Sequence, residues 1–327
     1  MTPAPDPARP RTVFLGSGSF AVESLRVLAG APEVRLVGVV TAPPRPAGRG
    51  GRLPPTPVAA AAGDLGVEPV LTPERLRDPG SIAAILRLRP ALLVLADYGK
   101  LVPADLLSLP LGALNLHPSL LPRHRGASPI PATILAGDDE TGVTLMRMDA
   151  GLDTGPIVAQ ARLGLSGRET APELEAVLAV EAAALLARSL GAWIRGELPA
   201  VPQPTDGATL TKPLRREDGR LDPSRPAAER ERQVRAYQPW PRSFVETVVG
   251  RLTVWRASVG DLAGATPGGP AIESGKLAED PPLRFASADG WLVLDEVQPA
   301  GGRRMSGAEW LIGRPAAAGS RIVPPAD

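Results

Sequence analysis

The chain has 327 residues, 43% of them hydrophobic, and a formal net charge of +1. That suits one large or two ordinary domains with a proper core, and it leaves no global basic field, so any nucleic-acid contact must come from local patches. With no cysteine and only two histidines, His117 and His124, the chain excludes disulfides, cysteine nucleophiles and thiolate metal sites, and argues against a multi-histidine metal centre.

Residues 1–11 are proline-rich and lack an apolar signal core, so they read as a disordered leader on a cytoplasmic protein. No uninterrupted apolar run approaches the roughly 20 residues of a membrane span. Residues 12–15 form a short apolar strand that runs into Gly16-x-Gly18-x-x-Ala21, then a helical pattern with Phe20, Leu25 and Leu28 near one face. A second apolar strand spans 34–41. This is a βαβ unit and predicts a parallel sheet. The glycine turn fits the relaxed dinucleotide fingerprint, but the acid expected after the second strand is missing, and Thr41-Ala-Pro-Pro stands there. The glycines then read as a tight turn that packs a helix on the sheet.

The loop 43–56 carries Arg45, Arg49 and Arg52 and no acid. It is either a solvated surface loop or a phosphate-gripping finger, since arginine forks match phosphate oxygens. Further helices are predicted over 58–66, 73–89 (interrupted at Pro79-Gly80) and 101–109. Further strands are predicted over 67–71, 91–96 and from Ala113 to His117. Asp97-Tyr98-Gly99 leaves a strand's carboxyl end and is a candidate pocket rim. The alternation predicts a doubly wound α/β domain.

Asn115 and His117 sit two apart on a strand, which puts both side chains on one face. They either hold the following turn together or grip a carbonyl oxygen in the crevice beyond the strand end. A helix follows over 128–135, then strands over 142–148 and 157–163 as a hairpin whose tip carries Asp153; such a turn also accepts an ordinary aspartate. Thr170-Ala-Pro172-Glu173 reads as a capping box opening a long helix to about residue 195. Residues 199–206 read as a proline-rich linker. Beyond it, one helix (227–236) and short strands over 244–249, 251–259, 283–286 and 291–298 suggest a small β-barrel, one option being the oligonucleotide-binding type.

Asn115-x-His117-x-Ser119-Leu120-Leu121-Pro122-x-x-Arg125-Gly126 resembles the signature of the formyltransferases that use 10-formyltetrahydrofolate. Met148-Asp-Ala-Gly151-Leu-Asp153-Thr-Gly155 resembles the loop that carries their aspartate. Within that family the resemblance is to the branch acting on methionyl-tRNA. It includes Arg45-Pro-Ala-Gly-Arg49-Gly, Arg235-Ala-Tyr-Gln-Pro-Trp240-Pro, and Gln298-Pro-Ala-Gly301 continuing to Met305-Ser306.

The resemblance implies a Rossmann-like doubly wound parallel sheet with a C-terminal OB-like β-barrel. The implied layout is a leader (1–11), a folate-binding catalytic domain (12–198), a linker (199–211), a tRNA-binding domain (212–315) and a tail (316–327). It implies transfer of the formyl group of 10-formyltetrahydrofolate to the α-amine of methionyl-initiator tRNA for translation initiation. Tetrahydrofolate would be released, with no metal, membrane or protein partner. Asn115, His117 and Asp153 are the implied catalytic residues, with Asn115 and a protonated His117 stabilising negative charge and Asp153 keeping His117 charged or relaying a proton. Ser119, Leu120, Leu121, Pro122 and Tyr98 are the implied folate contacts, and Arg45, Arg49 and Arg52 the implied tRNA contacts. Three positions depart from the family pattern: His124 stands for an aromatic residue, Pro223 for a tryptophan, and the Gly16–Phe20 turn differs slightly. The rival within the class is a sugar-nucleotide amine formyltransferase using the same donor, which has no evident use for the arginine loop. A dinucleotide-dependent oxidoreductase, suggested by the glycine turn, leaves Asn115, His117 and Asp153 without a role.

Overall fold

The computed structural model describes residues 9–45, 53–260 and 273–323. The chain divides into two compact units: the first holds the chain up to Pro129, Glu140–Gly164 and Leu174–Lys212, and the second holds Ile130–Asp139, Leu165–Glu173 and everything from Pro213 on.

The first unit begins as the apolar runs require: β1 (Arg11–Gly16), α1 (Phe20–Gly30), β2 (Arg35–Val40), α2 (Pro57–Asp64), β3 (Val70–Leu71), α3 (Pro79–Arg87), β4 (Leu92–Ala96), α4 (Ala104–Leu107) and β5 (Ala113–His117). A two-residue strand β6 (Arg125–Gly126) and α5 (Pro129–Ala136), which from Ile130 on belongs to the second unit, precede β7 (Glu140–Arg147) and β8 (Ile157–Gly164), then α6 (Ala171–Ile194) and β9 (Leu210–Thr211). Seven strands form one sheet in the order β3-β2-β1-β4-β5-β7-β8. β1 to β5 are parallel; β7 and β8 run antiparallel. Alternation along the strands sends Val13, Leu15, Leu93 and Leu95 to one face, where Ile85 of α3 and Leu106 of α4 complete the core. Phe14 faces the other way, against Ala21 of α1.

Three boundaries differ clearly from the sequence expectation: the strand expected over 67–71 keeps only Val70–Leu71, and two helices are shorter. The helix expected from 73 begins at Pro79, because proline fits the first turn, where no N–H partner is needed. The expected 101–109 helix shrinks to the four residues of α4. Half of the expected Thr170 box is present: Glu173 reaches back and accepts the Thr170 N–H and its hydroxyl. α6, at 24 residues, is long and apolar enough to cross a membrane by length and composition. Its buried positions (Leu174, Leu178, Ala182, Leu185, Leu186, Leu190) recur on one stripe, and Trp193 Nε1 donates to the Leu111 carbonyl, so it is built as a core helix.

The second unit adds α7 (Ala227–Ala236), β10 (Ser243–Thr247), β11 (Gly250–Gly260), β12 (Arg284–Ala286), β13 (Trp291–Pro299), β14 (Met305–Ser306) and α8 (Gly307–Ile312). Its antiparallel sheet runs β10-β11-β13-β12, with β14 on β13. Among the described residues no β10–β12 pairing closes it, so the expected barrel is a half-barrel. Leu252, Val254, Leu283, Phe285, Leu292, Leu294 and Trp310 are buried in its core. Residues 316–323, expected as a tail, bury Ala317 and Ile322 there, and Val323 bridges Glu246.

Candidate active site

β5 delivers the site. Its sequence Ala-Leu-Asn-Leu-His buries Ala113, Leu114, Leu116 and His117 and leaves Asn115 half-buried. Asn115 lies opposite Met146 of β7 and His117 opposite Thr144. β4 runs parallel beside it, Ala96 level with Leu116, so Asp97 and Tyr98 leave the sheet at the same end as His117.

His117 is 4% exposed. Its Nε2–H donates to the His124 carbonyl at 2.9 Å, and its Nδ1 faces Asp153 Oδ2 at 3.7 Å. The same Asp153 oxygen accepts the Gly126 N–H at 2.8 Å. Burial pushes the imidazole below its ordinary pKa, against Asp153 and the His124 carbonyl, which favour the charged ring; the His124 imidazole adds a smaller push downward. Burial thus opposes the charge that Asp153 and the His124 carbonyl favour. The His124 carbonyl satisfies Nε2–H, and Nδ1 faces the Asp153 carboxylate from beyond hydrogen-bond distance. The Asn115 amide has no hydrogen-bond partner among the described residues, leaving its donors free for a ligand.

The loop 118–126 is held from behind. Thr144 Oγ1 donates to the Ser119 carbonyl and accepts from Leu121 N–H and Gln160 Nε2, which also donates to the Leu121 carbonyl. Ser119 is fully buried, and its hydroxyl donates to the Arg123 carbonyl at 2.6 Å. Leu121 is buried as well, so Leu120 and Pro122 are the members of the expected folate segment that keep accessible surface. Two non-glycine residues here have left-handed backbone: His124 (φ 58°) and Asp153 (φ 53°). Such residues typically cost about 1–3 kcal/mol and persist only where their surroundings hold them. Gly126, at φ 104°, has no room for a side chain, since a Cβ would press on the Thr211 carbonyl.

Tyr98 packs its ring on the core of the first face, and burial pushes its hydroxyl up to about 12. That hydroxyl has no hydrogen-bond partner among the described residues. The glycine turn after β1 is filled from β4: a Cβ on Gly18 would overlap the Asp97 carboxylate, which accepts the Gly18 N–H, while Ser17 N–H donates to the Asp97 carbonyl. Desolvation and then the charge of Glu175 push that carboxyl above its ordinary value. A carboxylate in the mouth of the turn disfavours a pyrophosphate, in accord with the packing role read from sequence. Arg45 is exposed; Arg49 and Arg52 lie outside the described residues.

Thr144, Gln160, Gln203 and Thr209 escaped the sequence reading. Thr144 and Gln160 had a signal, as polar residues on two apolar strands beside the site; Gln203 and Thr209 had none, lying in a polar stretch that reads as linker.

Residues 10–190 match the family described as formyl transferase, and residues 213–315 match the one described as formyl transferase, C-terminal domain. A protein of Chloroflexus aggregans (strain MD-66 / DSM 9485) named methionyl-tRNA formyltransferase is 46% identical over 305 residues, covering 93% of this chain and 97% of the relative. One of the same name from Roseiflexus sp. (strain RS-1) is 43% identical over 322 residues, covering 95% of each. Among solved structures, that of WlaRD, a sugar 3N-formyl transferase in the presence of dTDP and 5-N-formyl-THF, shares the fold at TM-score 0.63 and 15% identity, covering 90% of this chain and 98% of that one. With the strand, the histidine–aspartate pair and the loop between them placed as described, the chain belongs to the formyl transferase family, and its relatives over nearly its whole length are methionyl-tRNA formyltransferases.

Proposed function

We propose that this chain transfers the formyl group of 10-formyltetrahydrofolate to the α-amine of methionyl-initiator tRNA, in the cytoplasm, at the start of translation. Residues 12–198 act as the catalytic domain and 212–315 as the tRNA-binding domain. Asn115, His117 and Asp153 are its catalytic residues. The observation that carries the reading is the buried His117, held between the His124 carbonyl and the Asp153 carboxylate in a chain that aligns over 93% of its length with a methionyl-tRNA formyltransferase.

The folate supplies a formyl carbon on N10. The α-amine attacks that carbon and must shed a proton. His117 in its neutral form takes it at Nδ1 and becomes an imidazolium, with the Asp153 carboxylate facing Nδ1 and the His124 carbonyl on Nε2–H. The 3.7 Å gap to Asp153 exceeds a hydrogen bond, and such contacts tighten in the reacting complex. Negative charge gathers on the formyl oxygen, where the free Asn115 amide donates; an oxyanion donor is typically worth about 2.7–4 kcal/mol. The positive charge now on His117 stabilises the same oxygen. The carbon–N10 bond then breaks, N10 takes the proton from His117, and the ring returns to neutral. Gly126 N–H keeps Asp153 Oδ2 pointed at the ring throughout.

Leu120 and Pro122 offer the folate apolar surface, Tyr98 stands at the rim with its hydroxyl buried, and the 43–56 loop offers the tRNA its arginines. The test is a single-turnover assay with 10-formyltetrahydrofolate and initiator tRNA carrying labelled methionine, against uncharged tRNA and a nucleotide-linked amino sugar. Formyl-methionine formed only with the charged tRNA is expected. Formylation of the amino sugar instead would overturn the acceptor while keeping the donor.

A further inference from the structure

We propose that the exposed stretch 203–211 is a positioning element of the active site, in which Gln203 and Thr209 set Asp153 and the His124 carbonyl against the two nitrogens of His117. The inference rests on the catalytic reading of His117 and Asp153 given above.

By composition this stretch, Gln-Pro-Thr-Asp-Gly-Ala-Thr-Leu-Thr, is a passive connector: polar, broken by proline and glycine, and without a buried residue. Its bonds are not those of a connector. Gln203 Nε2 donates to the carbonyls of Asp153 (2.8 Å) and Gly155 (2.7 Å), and its Oε1 accepts from Arg125 Nε and Nη2 at 3.0 and 2.7 Å. One side chain thus ties the Asp153 turn to the loop that caps His117. Thr209 Oγ1 accepts the His124 N–H at 2.7 Å, the Thr209 N–H donates to the Pro122 carbonyl, and its own carbonyl accepts the Arg125 N–H. Thr211 Oγ1 donates to the Arg125 carbonyl and accepts the Ser128 N–H. β6 and β9 add a parallel pairing, Arg125 with Leu210 and Gly126 with Thr211.

The bonds fall where the backbone needs holding. His124 and Asp153 are two of the five non-glycine residues with left-handed backbone among those described. One is bonded through its N–H by Thr209, the other through its carbonyl by Gln203. His124 presents the carbonyl to His117 Nε2, and Asp153 presents Oδ2 to Nδ1. If either residue relaxes, an acceptor leaves the ring. Neither Gln203 nor Thr209 touches the ring itself, so both are positioning residues.

The experiment uses Thr209→Val, Thr209→Ser and Gln203→Ala in the full-length enzyme, with Asp153→Asn as control. Thr209→Val and Gln203→Ala are expected to lower kcat about tenfold or more with KM for both substrates nearly unchanged, as misplacement without lost substrate contacts predicts. Thr209→Ser should restore kcat. Because the chain has two histidines, imidazole nitrogen NMR reads each ring directly. The charged and titratable groups facing His117 are Asp153 and His124. Loss of either acceptor should move the His117 midpoint to lower pH while the thermal midpoint stays in place. Should Thr209→Val fail to fold, Gln203→Ala and the serine variant carry the same readouts. Unchanged kcat and unchanged His117 resonances in the strap variants, with Asp153→Asn inactive, would overturn this proposal alone. Full activity in Asp153→Asn would instead remove the catalytic reading on which it stands.

Discussion

Thr144→Val is an isosteric change at a fully buried position that removes one hydroxyl and nothing else. That hydroxyl donates to the Ser119 carbonyl at 2.7 Å and accepts from Leu121 N–H at 3.0 Å and Gln160 Nε2 at 2.9 Å. Gln160 keeps its bond to the Leu121 carbonyl. The Ser119 carbonyl and the Leu121 N–H lose the hydroxyl in a site without water access, at about 1–3 kcal/mol for each buried unsatisfied group. The expected loss of stability is therefore about 3 kcal/mol, or about 6–12 °C in Tm for a unit of this size. The loop whose Leu120 and Pro122 face outward would also lose its backing, so KM for the folate should rise by more than KM for the tRNA. Urea denaturation gives the first quantity and steady-state kinetics the second. A loss under about 0.5 kcal/mol with an unchanged folate KM would refute the argument that this hydroxyl holds the loop.

The rate should fall on the acid side as His117 is protonated, with a midpoint below the ordinary histidine value of about 6.5, and Asp153→Asn, which removes a group favouring the charged ring, should move that midpoint lower still in an NMR titration. The same depressed value means that the unfolded chain binds the proton more readily. Its contribution to stability is then full above about pH 6.5 and lost as pH falls through the folded pKa, which denaturation midpoints between pH 7 and 5 will show. Tyr98→Phe removes a buried hydroxyl without a partner among the described residues, so Tm should hold or rise; a folate KM that rises with it would place the hydroxyl at the ligand, and an unchanged KM would take it out of the binding site. Arg45→Ala and Arg49→Ala should raise KM for the tRNA in a salt-dependent way and spare folate binding; a lowered folate affinity instead would reassign the loop.

The doubly wound unit was legible because its strands are short apolar runs between helical periods, and both faces of the sheet are covered, so each run has one reading. Asn115 and His117 stood out as polar residues two apart on an apolar strand, though the spacing alone left holding the turn and gripping a ligand both open. Asp153 needed the family signature, since a glycine-bounded turn accepts aspartate for its own backbone. Pro79 misled because proline breaks a helix from within but opens one at its first turn, and the local sequence does not say which. The Ser119 hydroxyl closes the turn to Arg123, a local bond that the family resemblance, which implies a folate contact there, does not report. The charge state of His117 depends on burial, which spacing does not report. The stretch 203–211 was opaque: hydrogen bonds between glutamine and threonine side chains and distant backbone groups leave no period and no apolar mark.

The central claim is that His117 takes part in the transfer step and not in holding either substrate. Its most direct measurement is the single-turnover rate of formyl transfer with folate and charged tRNA both bound, for the wild type and His117→Ala. The account predicts a fall of at least about a hundredfold in that rate with the affinities for both substrates nearly unchanged. A transfer rate near that of the wild type would contradict it.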